Sequence, residues 1–264
     1  MRLRDTLAPH VHRAQQAGLA VLAWLGYGVT LGTPAAATVI ILSYGRMRNI
    51  PAIVRSALLC RFVEKVIVSN NNPDIDLSPY LSVRDPRLEV VQQDQRRWPS
   101  YRYDLARQDP AEYYICIDDD VFPSPWQLRR MFAAFLRDPS SPRGTAGQVY
   151  DERCETLVRI PRRGSPWAST VDVILHTYVF SMAHLDRYFQ LIEAIGMRNS
   201  DIHSSEDVIL SLAGTSRPIV DRFGFLFRCP TSRDPEISIH RSDGFSAFRD
   251  DLYRKLRALP RGPS

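Results

Sequence analysis

The sequence predicts an α/β fold with a mainly parallel central sheet flanked by helices, and three observations carry that expectation. From Thr38 onward, short β-branched runs alternate with stretches of helical period, the pattern of strands joined by covering helices. Two of the runs, residues 38–43 (TVIILS) and 113–117 (YYICI), are apolar almost throughout, as strands buried on both faces are. The 264 residues, 44% hydrophobic and 24% charged, provide for one sizeable domain of this kind. Its expected limits are residues 38–258, with an apolar helical extension over 1–37 and a short tail over 259–264.

The elements follow in order. After the first strand, residues 49–61 place Ile50, Ile53, Val54, Ala57 and Leu58 at helical spacing. Residues 63–69 (VEKVIVS) form the second strand, stopped by Asn70-Asn71-Asn72-Pro73, a turn-forming cluster. Residues 88–91 make a short third strand and residues 101–106 open a helix. The fourth strand, 113–117, runs straight into Asp118-Asp119-Asp120. Residues 123–136 then form a helix whose apolar face carries Trp126, Leu128, Met131, Phe132 and Phe135. Strands are expected over 144–150 and 171–182, and a helix over 184–195. Another helix covers 205–213, with Ser204 or Ser205 as its cap. A terminal helix over 248–256 closes the domain.

Residues 17–44 carry no charged side chain and follow Arg2, Arg4 and Arg13, the order of a signal or anchor segment. The apolar part, 17–31, is broken by Gly26 and Gly28 and falls short of the roughly 20 residues that a spanning helix needs. An amphipathic helix that packs on the domain or rests on a membrane face is the expected outcome. Cleavage near Pro34-Ala35-Ala36-Ala37 would leave the first core strand at a new terminus.

The net charge of +5 arises from 34 basic and 29 acidic residues, and only Lys65 and Lys255 are lysines. An excess this small, with no basic stripe interleaved with aromatics, excludes nucleic acid as the expected partner. Cys60, Cys116, Cys154 and Cys229 form neither a CxxC pair nor a dense disulfide pattern, which fits a reducing compartment, and a cytoplasmic location is expected.

Three adjacent carboxylates at a strand end repel one another unless a cation or arginines compensate. An acidic turn is the ordinary reading of such a run. Here it follows a buried strand and precedes Val121-Phe122, at the strand end where open α/β sheets bind ligands, and that position favours a site. Hard divalent ions such as Mg2+ and Mn2+ take carboxylate oxygens together with substrate phosphates.

The run Asp118-Asp119-Asp120-Val121 after an apolar strand resembles the metal-binding signature of GT-A glycosyltransferases, and the likeness is greatest to the exostosin-like family. Residues 41–46 (ILSYGR) resemble that family's first strand and turn, and 66–71 (VIVSNN) its second strand. Glu206-Asp207-Val208 resembles its later acidic pair, and Phe248-Arg249 with residues 253–256 its closing helix. The resemblance covers about residues 38–256 and implies a GT-A fold, a UDP-sugar donor, Mn2+ or Mg2+, and a saccharide or lipid-linked acceptor.

It further implies that Asp118 contacts the nucleoside and shares the metal with Asp120, with Asp119 supporting both. Tyr44, Arg46, Asn70 and Asn71 would line the uridine pocket, and Arg97 would face the nucleotide. Asp207, with Glu206, would lie beneath the sugar, and Arg249 would reach the departing diphosphate. His240 is a candidate third metal ligand. His176 and His203 are weaker ones, and Trp98 and Trp167 read as packing residues.

The chemistry is coherent, because a metal and an arginine at the leaving diphosphate stabilise charge that develops in the transition state. The family implies retention of anomeric configuration. Inverting family-two-type enzymes share the acidic run and use the later Asp as base. A nucleotidyltransferase and a non-catalytic sugar-binding module are the alternatives from other classes.

Overall fold

The structure, a computed structural model, describes residues 3–160, 168–224, 226–229 and 243–259. Nine strands form one sheet in the order β3-β2-β1-β4-β9-β6-β10-β8, with β7 paired on the side of β6. The first four are β1 (Ala37–Ser43), β2 (Val63–Asn70), β3 (Leu88–Gln92) and β4 (Tyr113–Ile117), and their mutual pairings are all parallel. Next to β4 lies β9 (Val173–Ser181), antiparallel to it and to β6 (Arg143–Asp151), while β10 (Ile219–Asp221) is parallel to β6. Six of the nine strands therefore point the same way, and the expected mainly parallel sheet is present.

All seven residues of β1 are buried, and their alternation divides the core. Val39 and Ile41 face a cluster with Ile50, Ile53 and Val54 of α2 (Ile50–Leu58) and Leu128, Phe132 and Phe135 of α4 (Pro125–Arg137). Ile40 and Leu42 face the opposite cluster. That second layer holds Tyr103 of α3 (Tyr101–Gln108), Leu185 and Tyr188 of α5 (Met182–Ala194), Val208 of α7 (Glu206–Ser211) and Leu252 of α8 (Phe245–Arg257). Side chains alternate across a strand, so one apolar run serves two helical layers.

Helix α4 starts with a capping box in which Ser124 and Gln127 satisfy each other's backbone N–H, with Pro125 in the first turn. Ser205 stands at the N-cap of α7 as expected, yet its side chain makes no capping bond and its hydroxyl is buried without a partner. The two acidic residues of that first turn have other work, described below.

The N-terminal helix α1 spans Leu3–Trp24, longer and earlier than the 17–31 segment that hydropathy suggested, and it packs on α2. Gly26, at φ 70°, ends it, and Val29 then pairs with Cys60 beside the sheet. Among the described residues no helix is long and apolar enough to cross a membrane. The 171–182 strand begins later, at Val173, and Met182 already belongs to α5. The terminal helix begins at Phe245 rather than 248, after Gly244 at φ 78°. Five short strands were not anticipated, namely β10 together with β5 (Val121–Phe122), β7 (Thr156–Arg159), β8 (Ala168–Thr170) and β11 (Phe227–Arg228).

Candidate active site

A cleft of about 670 Å³ opens at the carboxyl ends of β1 and β4, where the acidic run leaves the sheet. The three carboxylates diverge. Asp119 turns toward the loop after β1, where Arg46 Nη1 donates to it at 2.8 Å and the Tyr44 N–H at 3.4 Å. Its carbonyl accepts from Asn49 Nδ2. Asp119 thus ties the acidic run to the loop after β1.

Asp118 and Asp120 turn the other way and meet His176 of β9, the three offering ligand atoms that lie within 4.8 Å of one another. Asp118 accepts from Arg102 at 3.0 Å and faces His176 Nδ1 at 3.4 Å. One of its oxygens thus faces Arg102 and the other His176. Burial works to raise the Asp118 carboxyl, but Arg102 and then His176 outweigh it and hold the group below the ordinary carboxylate range.

Asp120 is pushed up instead, by burial first and then by the charge of Asp118. Its Oδ1 is buried and has no hydrogen-bond partner among the described residues. Burial also holds the His176 imidazole below the ordinary histidine range, against the pull of Asp118, so the neutral ring is the form at hand to bind a cation. Two carboxylate oxygens and one imidazole nitrogen, one oxygen orphaned, are a donor set that fits Mn2+ or Mg2+.

His176 sits at φ 73°, in the left-handed region that costs a residue with a Cβ about 1–2 kcal/mol. The strain accompanies an irregular register between β6 and β9 at Gly144 and Ala146, and the His176 carbonyl accepts from the Asp118 N–H. Strained backbone of this kind persists where the surroundings over-determine it.

On the far wall, Arg102 of α3 is fully enclosed and reaches both Asp118 and Glu206, the latter at 3.3 Å. Burial pushes the Glu206 carboxyl up to about 8 although Arg102 pulls it down, and its Oε2 has no partner among the described residues. Asp207 is gripped through both oxygens by Arg249 of α8, which also donates to Gln148 at 2.8 Å. Arg249 therefore meets Asp207 directly, as well as lining the cleft.

Tyr44, Arg46, Asn71 and Arg97 line the cleft. Asn70 does not. It is buried, and its amide donates to the Ile75 carbonyl and to Gln92. Consecutive residues at a strand end point to opposite sides, which sends Asn70 into the scaffold and Asn71 into the cleft. Trp98, read as packing, also borders the cleft, with the Arg96 guanidinium 4.5 Å from its ring and 5.0 Å from that of Tyr44.

His240 and Trp167 lie outside the described residues. Sequence reasoning missed Arg102, Gln148, Arg159 and Arg228 of the cleft and ranked His176 low. Arg228 arrives through β11, which pairs with β5 just past the acidic run. None of these has a local motif; each is brought in by sheet pairing or by helix packing.

No model of a known protein family matches the chain, and no curated protein sequence is similar to it. Its fold is similar to that of a solved structure, GalNAc-T7 with UDP, GalNAc and Mn2+, at a TM-score of 0.55 and 10% identity. The match covers 85% of this chain but 56% of that one, so this chain corresponds to little more than half of its structural neighbour. The fold is that of the GT-A glycosyltransferases. The likeness shows that fold and no particular family within it.

Proposed function

We propose that the chain is a metal-dependent glycosyltransferase that moves a hexosyl or N-acetylhexosaminyl unit from a UDP-sugar to a saccharide or lipid-linked acceptor, with retention of configuration. The observation that carries the reading is the convergence of Asp118, Asp120 and His176 at the mouth of a cleft whose opposite wall holds Asp207 and Arg249. Asp118, Asp120 and His176 would hold Mn2+ or Mg2+. Such an ion, when bound, neutralises charge building on a departing diphosphate.

The chain's own groups supply the rest. Tyr44, Asn71, Arg96, Arg97 and Trp98 offer aromatic faces, amide groups and guanidinium donors for a nucleoside diphosphate along one side of the cleft. Asp207, paired through both oxygens with Arg249, is the carboxylate that stabilises positive charge at the anomeric centre. An inverting enzyme needs Asp207 as a free base for the acceptor proton. Engagement of both its oxygens by Arg249 supports the retaining reading.

A peripheral membrane contact at the cytoplasmic face belongs to the same proposal. Trp24, Leu25 and Tyr27 follow one another on the surface, and Tyr27 stands beside the exposed Trp126 at 6.5 Å between ring centroids. Aromatic side chains with polar tips favour the headgroup region.

The test is a panel of sugar nucleotides incubated with the protein and Mn2+, with the released nucleotide identified. Release of UDP supports transfer, pyrophosphate would indicate a nucleotidyltransferase, and turnover of none would leave a binding module. The anomeric configuration of the product, read by proton NMR, decides between retention and inversion.

A further inference from the structure

Arg159 and His176 meet in a contact whose chemistry runs one way. Nη2 of Arg159 stands 2.8 Å from Nε2 of His176. A guanidinium donates and never accepts, so Nε2 presents its lone pair and the ring proton sits on Nδ1, on the side of Asp118. Three other arginines of the cleft are committed to carboxylates: Arg46 to Asp119, Arg102 to Asp118 and Glu206, Arg249 to Asp207. Arg159 is instead set against an imidazole that the metal site needs.

A cation can use that imidazole in two ways, and both expel Arg159. Through Nε2, the cation takes the lone pair that the guanidinium now occupies. Through Nδ1, the ring proton moves to Nε2, where it confronts an N–H of Arg159 that has nothing to accept it with.

Arg159 is built to leave. Its backbone is held at the end of β7 by pairing with Gln148, but its side chain is exposed. It borders both the main cleft and an adjoining cavity of about 360 Å³ whose lining includes Arg222 and Arg228, so the exposed guanidinium turns away toward solvent rather than among like charges.

We propose that Arg159 is a latch on the metal site, donating to His176 Nε2 and withdrawing when a divalent cation binds. Guanidinium and cation thus compete for one imidazole. The proposal rests on the metal-binding reading of Asp118, Asp120 and His176 given above.

The experiment is Mn2+ binding followed by the EPR signal of the free ion, in the wild type, Arg159→Met, His176→Gln and the double variant. Arg159→Met tightens Mn2+ by about fivefold, the worth of one partly exposed hydrogen bond to a charged donor, and the gain vanishes in the His176→Gln background. Unchanged or weaker binding in Arg159→Met overturns the latch. Equal tightening in the His176→Gln background overturns it too, since removal of a like charge then explains the effect.

Asp120→Ala separates this failure from that of the underlying reading. If it abolishes Mn2+ binding while Arg159→Met changes nothing, the latch falls and the metal site stands; if it leaves binding intact, both fall. A readout independent of any variant is the nitrogen-15 spectrum of the metal-free wild type. The latch requires His176 Nε2 to be the unprotonated nitrogen, and a protonated Nε2 contradicts it.

Discussion

Asp207 is held by Arg249 through both carboxylate oxygens, at the buried junction of α7 and α8. The pair has to be read as a unit. Breaking a buried pair from one side leaves an uncompensated charge and costs about 3–5 kcal/mol. Arg249→Met is therefore expected to lower unfolding stability by about 3 kcal/mol, read from urea denaturation. Asp207→Asn, of nearly the same volume and able to keep one hydrogen bond, likewise leaves the Arg249 charge uncompensated and is expected to cost a similar amount, while lowering UDP release by about a hundredfold or more. Full activity in Asp207→Asn would remove this carboxylate from the chemistry.

Glu206 ties stability to pH. Its carboxyl is pushed up to about 8 by burial, from an ordinary 4.5, so the folded state holds the proton more tightly than the unfolded state. The stabilising contribution is complete below pH 4.5 and is lost as pH rises through 8. Glu206→Gln, which cannot ionise, is expected to fall less in stability than the wild type between pH 5 and 9, by roughly 2–4 kcal/mol. Parallel curves for the two proteins would show that Arg102 keeps Glu206 charged throughout.

His176 makes a prediction about backbone strain. At φ 73° an alanine retains the penalty of a Cβ in the left-handed region, and a glycine does not. His176→Gly is expected to be more stable than His176→Ala by about 1 kcal/mol, the reverse of the usual order within a strand. Both should lose Mn2+ affinity. The ordinary order, alanine above glycine, would mean that the strain is absent.

The parallel half of the sheet was legible because its strands need no partner to be recognised. Residues 38–43 and 113–117 are apolar on both faces, and their observed limits differ from the expected ones by at most one residue. The late strands carried no such signal: β8 is three residues long and largely exposed, and β11 has two residues and exists by pairing with β5. The acidic run could be placed from its neighbours in sequence. Its partners could not, since Arg102 lies in a polar helical stretch and is buried only because Asp118 and Glu206 converge on it. His176 stands in an apolar run, Ile174-Leu175-His176-Thr177, and only the distortion of β9 against β6 turns its ring to the acidic pair.

The surface aromatics at the end of α1 predict binding to vesicles of mixed phosphatidylcholine and phosphatidylglycerol. Replacing Trp24 and Leu25 together by serine removes two exposed apolar side chains, and partitioning in a sedimentation assay should fall by about tenfold or more. Equal sedimentation of wild type and variant, whether both bind or neither does, would contradict a lipid contact at this patch.

The most direct measurement is UDP release from a panel of UDP-sugars by the wild type, Asp120→Ala and His176→Ala, each with Mn2+ and with chelator. One UDP-sugar is expected to be turned over by the wild type with Mn2+, with chelation or either substitution lowering the rate by about a thousandfold or more. A wild type that neither binds nor cleaves any UDP-sugar, or a rate indifferent to chelator and to Asp120→Ala, would contradict the assignment of Asp118, Asp120 and His176 as the metal centre of a glycosyltransferase.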